Sequence, residues 1–293
     1  MKKLSHALHL LSLSLSLFLA YPQSTAIAGE KIRYAHFHTD GNERDNYTLE
    51  LLRLALQKAG GGKELVAVEV NFPQGRGLYE LESGKFIDID WSITSKEREA
   101  RLLPIRISID KGLFGWRIPV VKKSNEKLFA NVKKIEDFKE LTAGQGFNWP
   151  DTTILRQAGL KVIDGRDPEG LIKMLSADRF NYYPRSIIDL KYEMADYKRY
   201  NFIIDSHIAI HYPSAFYFFV NKKNGQLASH IQMGLDIALK DGSFDNLFNK
   251  YYGGAIAQAR LQQRKIIEIP NPLLPENTPL SRKELWFHLD KSN

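Results

Sequence analysis

Apolar and polar positions alternate along residues 31–37 (KIRYAHF), a strand pattern that runs into the polar loop Thr39-Asp40-Gly41-Asn42. Beyond it Leu49, Leu52 and Leu56 recur at the spacing that lines one face of a helix. Gly60-Gly61-Gly62 ends that helix, and residues 65–70 (LVAVEV) predict a second short strand. Strand, helix and strand in this order make a βαβ unit, a parallel pair with a right-handed crossover. Farther on, Asp167-Pro168 predicts a helix start, with Asp as cap and Pro at the first helical position, ahead of Leu171, Met174 and Leu175. Ser186 and Asp189 resemble a capping box for the next helix. Residues 216–220 (FYFFV) are apolar throughout, the mark of a strand buried on both faces. Leu227, Ile231 and Leu235 predict a long helix, and Ser243 is expected to cap a shorter one carrying Phe244, Leu247, Phe248 and Tyr251. From Ile267 the chain turns Pro-rich (IPNPLLPENTPL), which reads as an extended strap packed on the surface before an amphipathic piece at 282–289. Alternating strands and helices set the fold class as α/β.

The N-terminus adds an address. Met1-Lys2-Lys3 is basic, residues 10–20 are rich in Leu and Ser, and Ala26-Ile27-Ala28 puts small residues where a signal peptidase reads. Residues 1–28 are therefore expected to be a cleaved signal peptide, since the serine-interrupted apolar run falls short of the roughly 20 residues a membrane span requires. The mature protein is expected to be periplasmic and not membrane-inserted. There is no cysteine, which excludes disulfides, thiolate metal sites, Cys nucleophiles and a lipid-modified N-terminal Cys together.

With 43% hydrophobic and 26% charged residues the chain suits one large or two modest globular domains. Its formal charge of +7 is scattered apart from short pairs such as Lys122-Lys123, Lys133-Lys134 and Lys222-Lys223, so no nucleic-acid partner is expected. Gly144-Gln145-Gly146 lacks both the third Gly of a dinucleotide fingerprint and a P-loop Lys, which argues against a nucleotide site. His36, His38 and Asp40 alternate on one strand face, but no second ligand cluster accompanies them; no metal or cofactor is expected.

The run Ile87-Asp88-Ile89-Asp90-Trp91-Ser92-Ile93-Thr94, followed by Ser95-Lys96-Glu97-Arg98, Pro104-Ile105-Arg106 and Gly112-Leu113, resembles the first-lobe signature of the family 3 extracellular solute-binding proteins. The ending from Asp241-Gly242-Ser243-Phe244 to Tyr251-Tyr252-Gly253 is also typical of that family. The resemblance implies a two-lobed periplasmic-binding-protein-like type II fold with two hinge crossings, near 115–121 and 215–220. It places lobe 1 at 29–118 and 220–293 and lobe 2 at 119–219. It also implies that Arg98 holds a ligand carboxylate, from a loop that contains Thr94; a planar guanidinium fork suits a planar anion. Trp91 is expected where a first-lobe strand opens into the cleft. The second-lobe anion loop corresponds to 144–153, which makes Gln145, Trp149, Asp151 and Thr152 candidates at the start of a helix whose free N–H groups favour an anion or are capped by Asp151 itself.

The sequence departs from the amino-acid binders of that family in one place. They usually present an acid after a Gly-Arg-x-Asp-Ala stretch in the second lobe; here the corresponding residues 178–186 read DRFNYYPRS, with Arg185 and Ser186 near the acid's place. If Arg185 faces the cleft, a second cation there disfavours a ligand ammonium and favours an anionic solute. The function implied is a receptor that performs no chemistry and delivers a small molecule to an ABC permease or a membrane sensor. The alternatives left open are a dehydratase-like periplasmic enzyme on the same bilobal fold and a sensory accessory protein outside transport.

Overall fold

The computed structural model describes residues 30–36, 43–70 and 76–289; the predicted signal peptide and the loop bearing His38 and Asp40 lie outside the described residues. β1 (Glu30–His36), α1 (Glu43–Lys58) and β2 (Lys63–Glu69) form the expected unit, with β1 and β2 parallel from Glu30↔Lys63 to His36↔Glu69. Gly60, Gly61 and Gly62 all have positive φ, a turn that only glycine enters without strain. The chain continues through α2 (Gly77–Ser83), β3 (Ile89–Ile93), α3 (Lys96–Arg101), β4 (Leu102–Ile105), β5 (Trp116–Lys122) and β6 (Thr142–Gly146). Next come α4 (Pro150–Gln157), β7 (Lys161–Gly165), α5 (Pro168–Ser176), β8 (Tyr183–Ser186), α6 (Met194–Arg199), β9 (Phe202–Ile204) and β10 (Ile208–His211). The remainder is β11 (Phe216–Asn221), α7 (Gly225–Lys240), α8 (Ser243–Ala259) and β12 (Lys265–Glu268).

Among the described residues the strands make two five-stranded sheets and the small β6–β7 pair. The first runs β2-β1-β3-β11-β4; the second runs β12-β10-β5-β8, with β9 also on β5 and the β6–β7 pair reaching it through an Ala143–Tyr182 bridge. β11 lies antiparallel to both β3 and β4, and Tyr217, Phe218, Phe219 and Val220 are fully buried, which is why this strand is apolar without alternation. Over the first sheet α7 crosses α1 so closely that a Cβ at Gly234 would overlap the Ala55 carbonyl oxygen.

Three local expectations change. Ser186 does not open a helix: it ends β8, pairs with Arg117, and donates its hydroxyl to the Leu113 carbonyl (3.0 Å). Ser243 is the first helical residue and Gly242, at φ 79°, takes the cap position; the helix it opens is 17 residues long. At 282–289 the backbone makes only a single 3₁₀ turn, Lys283–Leu285, whose Leu285 is fully buried.

The chain leaves the first sheet between β4 and β5 and returns between β10 and β11, so β5 belongs wholly to the second sheet. The two passages touch: Tyr212 N–H donates to the Gly115 carbonyl (3.2 Å), and a Cβ at Gly115 would overlap the Tyr212 carbonyl oxygen. The segment after α8, expected with the first lobe, contributes β12 to the second sheet, parallel to β10. It then goes back. The Leu273 carbonyl accepts Lys96 N–H (3.1 Å), the Trp286 ring lies against Gly112, and Phe287 N–H donates to the Lys111 carbonyl (2.7 Å). The expected strap is thus a tie between both sheets. Among the described residues no helix is long and apolar enough to cross a membrane.

Candidate functional site

Two short segments from different sheets set the site. On the first-sheet side, Ser95 caps the six-residue α3 by accepting the Arg98 N–H (3.2 Å). Thr94, just before it, is buried and turned inward: its N–H donates to the Ala215 carbonyl (2.8 Å) and its hydroxyl to Glu99 Oε1 (2.7 Å). The Arg98 side chain folds back so that Nη1 donates to the Ile93 carbonyl. Its neighbouring carboxylates are engaged elsewhere, Glu97 with Arg101 (3.6 Å) and Glu99 with Arg106, and Arg98 has no carboxylate partner among the described residues. Burial lowers the Arg98 pKa, while the charges of Glu97, Asp90 and Asp151 act to raise it.

On the second-sheet side, Trp149 precedes α4 and Pro150 occupies its first position. Asp151 does not cap the helix. It is 3% exposed, and one of its oxygens accepts hydrogen bonds from both Arg117 Nη2 and the Tyr212 hydroxyl. Burial pushes the Tyr212 hydroxyl well above its ordinary pKa, which keeps it a neutral donor. Burial works against the charge of Arg117, and Asp151, Tyr212 and Asp189 together more than restore it, so its pKa is raised. Thr152 donates its hydroxyl to the Gly146 carbonyl (2.7 Å). Gln145 is fully buried, with Nε2 to the Pro184 carbonyl (3.3 Å) and Oε1 without a partner. The Trp149 ring covers Gly146 so tightly that a Cβ there would overlap it.

Arg185 is not a free cation. It is buried, its Nε and Nη2 bond Glu193 (3.0 Å for Nε), its Nη2 also lies 3.2 Å from Asp189, and its guanidinium stands 4.8 Å from the Tyr183 ring centroid and 5.1 Å from that of Trp149. Trp91 is half-buried against Tyr34 (6.2 Å between ring centroids) and Phe218 (6.3 Å). The sequence reading passed over Arg117, Tyr212, Glu193 and Ser95. Arg117 had a usable signal, since a charge inside the apolar run WRIPVV needs a buried partner. Ser95 had another, the cap spacing to Arg98. Tyr212 and Glu193 had none. Among the described residues no group of three His, Cys, Asp or Glu is placed to hold a metal ion.

Solved structures share the fold over about three quarters of the chain. A probable amino-acid ABC transporter extracellular-binding protein of Bacillus subtilis superposes with a TM-score of 0.59 at 17% identity, covering 77% of this chain and 98% of that one. The fold is that of the two-lobed periplasmic binding proteins. An ancestral arginine-binding protein bound to glutamine shares this binding-protein fold at TM-score 0.55 and 20% identity, covering 76% of this chain and 98% of its own. A histidine kinase sensor domain with similarity to periplasmic binding proteins matches at 0.51 and 16%, over 71% and 86% of the two chains. No protein-family model matches the chain, and no curated protein matches its sequence.

Proposed function

We propose that this protein is an exported receptor that closes two lobes on a small anionic solute and presents it to an ABC importer or a membrane-bound sensor. One observation carries the reading: Arg98 is a half-buried guanidinium with no carboxylate partner among the described residues, and the carboxylates on either side of it in α3, Glu97 and Glu99, are held by Arg101 and Arg106. A desolvated cation of that kind favours an anion from solution. The fold supports a binder, since arginine-binding, lysine-bound and cystine-transport proteins share it. In this reading Thr94 and Ser95 position the Arg98 loop, Trp91 and Trp149 flank the solute, and Gln145 and Thr152 shape the second-lobe wall. Asp151 and Arg185 are internally neutralised supports. Of the lobe 1 expected at 29–118 with 220–293, β5 and β12 go to the second lobe, and of the lobe 2 expected at 119–219, β11 goes to the first.

The test is hinge closure. Protein that has been unfolded and refolded to strip bound solute is titrated with a panel of carboxylates while its scattering radius and tryptophan emission are followed. A binding carboxylate contracts the particle and shifts the emission. A panel that changes neither overturns the reading. Co-purification with a permease or with a kinase then separates the transport and sensing roles.

A further inference from the structure

We infer that residues 269–274 form a strut, a third link between the two lobes, which sets the angle between them in the solute-free protein by latching the Leu273 carbonyl onto the first amide of α3. The inference goes beyond the receptor reading and concerns the protein without solute. A binding-protein fold closes by rotation of its lobes about a hinge. Here the passages at 106–115 and 212–215 lie side by side, joined by the Tyr212 N–H and the Gly115 carbonyl (3.2 Å), and make a single joint. A third link anchored on either side of that joint opposes rotation about it, and the chain supplies one after β12.

The second-lobe end of the strut is fixed by β12, parallel to β10, and by Ile269, which is buried and whose N–H donates to the His211 carbonyl (2.9 Å). The first-lobe end is fixed by Leu273, whose carbonyl accepts the Lys96 N–H (3.1 Å), and by Leu274, packed against the buried cluster that holds Tyr217 and Phe219 of β11. Between these anchors the sequence is Pro270-Asn271-Pro272. Each proline fixes its own φ and holds the residue before it extended, and the chain from Ile269 to Leu273 reaches at most about 14 Å, so the link has little slack. Asn271 locks its middle: Nδ2 donates to the Pro213 carbonyl (2.8 Å) in the returning passage, and Oδ1 accepts the Leu273 N–H (3.0 Å). Farther along, the strap grips the outgoing passage too, through the Phe287 N–H on the Lys111 carbonyl and the Trp286 ring on Gly112. The latch ends on the turn that carries Arg98, because Lys96 is the first residue of α3 and the Ser95 cap accepts the Arg98 N–H. Rotation of the lobes must therefore stretch the strut, release the Lys96 bond, or carry the α3 turn along with the second lobe.

The latch can be deleted without deleting the helix. Proline suits the first helical position, where its fixed φ fits and only the amide hydrogen is lost, and Ser95, at φ −152° and ψ 160°, already has the extended backbone that precedes a proline. Lys96→Pro therefore removes the bond to Leu273 and keeps α3, whereas Lys96→Ala removes the side chain and keeps the bond. The chain has no cysteine, so Lys139→Cys in the second lobe and Lys223→Cys in the first, both exposed, give a single pair of spin labels on the whole protein. The distance distribution between the labels is measured after unfolding and refolding to strip bound solute. Lys96→Pro is expected to broaden that distribution and to populate spacings absent from the labelled parent, and Lys96→Ala to leave it unchanged. Coincident distributions for Lys96→Pro and the parent overturn the inference, as does equal broadening by Lys96→Ala. If Lys96→Pro does not fold, Asn271→Ala, which removes the bond to Pro213, is compared with the parent and decides in the same way. No solute enters the measurement, so its failure leaves the receptor reading standing.

Discussion

Asp110 makes the stability of this protein depend on pH in an unusual direction. It sits in the turn that leads out of the first sheet, fully buried, where Oδ1 accepts Ser108 Oγ (2.9 Å) and Gly112 N–H (3.0 Å) and Oδ2 accepts Phe114 N–H (2.8 Å). Burial raises its pKa from 3.8 to about 6, and the three donors offset only part of that rise. Because the folded value lies above the unfolded one, the native state binds the proton more tightly. The stabilisation is therefore present below about pH 4 and is lost as pH rises through about 6. A rise of about two pKa units corresponds to about 3 kcal/mol. Asp110→Asn removes the titration and also turns an N–H donor toward Phe114 N–H or Gly112 N–H, a constant cost at all pH values. The assay is urea unfolding of both proteins between pH 4 and pH 8. The difference, unmodified minus Asp110→Asn, is expected to shrink by about 3 kcal/mol across that range. A difference that stays constant, or one that grows with pH, would refute the argument and show that the three donors outweigh burial.

Two further perturbations test the packing of the site and its scaffold. Asp151→Asn leaves the Arg117 guanidinium buried without a counter-charge and should destabilise by about 3 to 5 kcal/mol in chemical denaturation, whereas Arg117→Met with Asp151→Leu should lose much less than the two single changes added together; additive losses would show that the pair is not coupled. Gly234→Ala forces a methyl group into the Ala55 carbonyl at the α1–α7 crossing and should cost about 1 to 3 kcal/mol or more in the same assay, and a variant as stable as the parent would mean that the helices are not so closely seated.

The parts of the fold that were legible in the sequence are those where one short period decides the answer. The β1-α1-β2 unit follows from alternation, then helical spacing, then three glycines at positive φ. β11 follows from an unbroken apolar run, as a strand flanked on both sides demands. What stayed hidden depends on partners distant in sequence. β12 forms because residues 207–211 offer a free edge, and the Pro-rich stretch beside it masked the alternation in which Ile267 and Ile269 are buried and Glu268 is exposed. At the candidate site, Arg98 and the loop at 144–153 were proposed from the family resemblance, and the neutralisation of Asp151 and Arg185 was not foreseen. Asp151 meets Arg117 across 34 positions and Tyr212 across 61, and nothing local announces either contact. Thr94 was a candidate as the threonine of the loop before Arg98 that the resemblance implies, yet the adjacent Ser95 holds the cap while Thr94 binds Glu99.

The most direct measurement of the central claim is a thermal-shift comparison of the unmodified protein and Arg98→Ala against one carboxylate panel. A solute at 100 times its dissociation constant stabilises the native state by about 2.7 kcal/mol. The account predicts that at least one carboxylate raises the melting temperature of the unmodified protein and leaves Arg98→Ala unmoved at the same concentration. Equal shifts in the two proteins would contradict it.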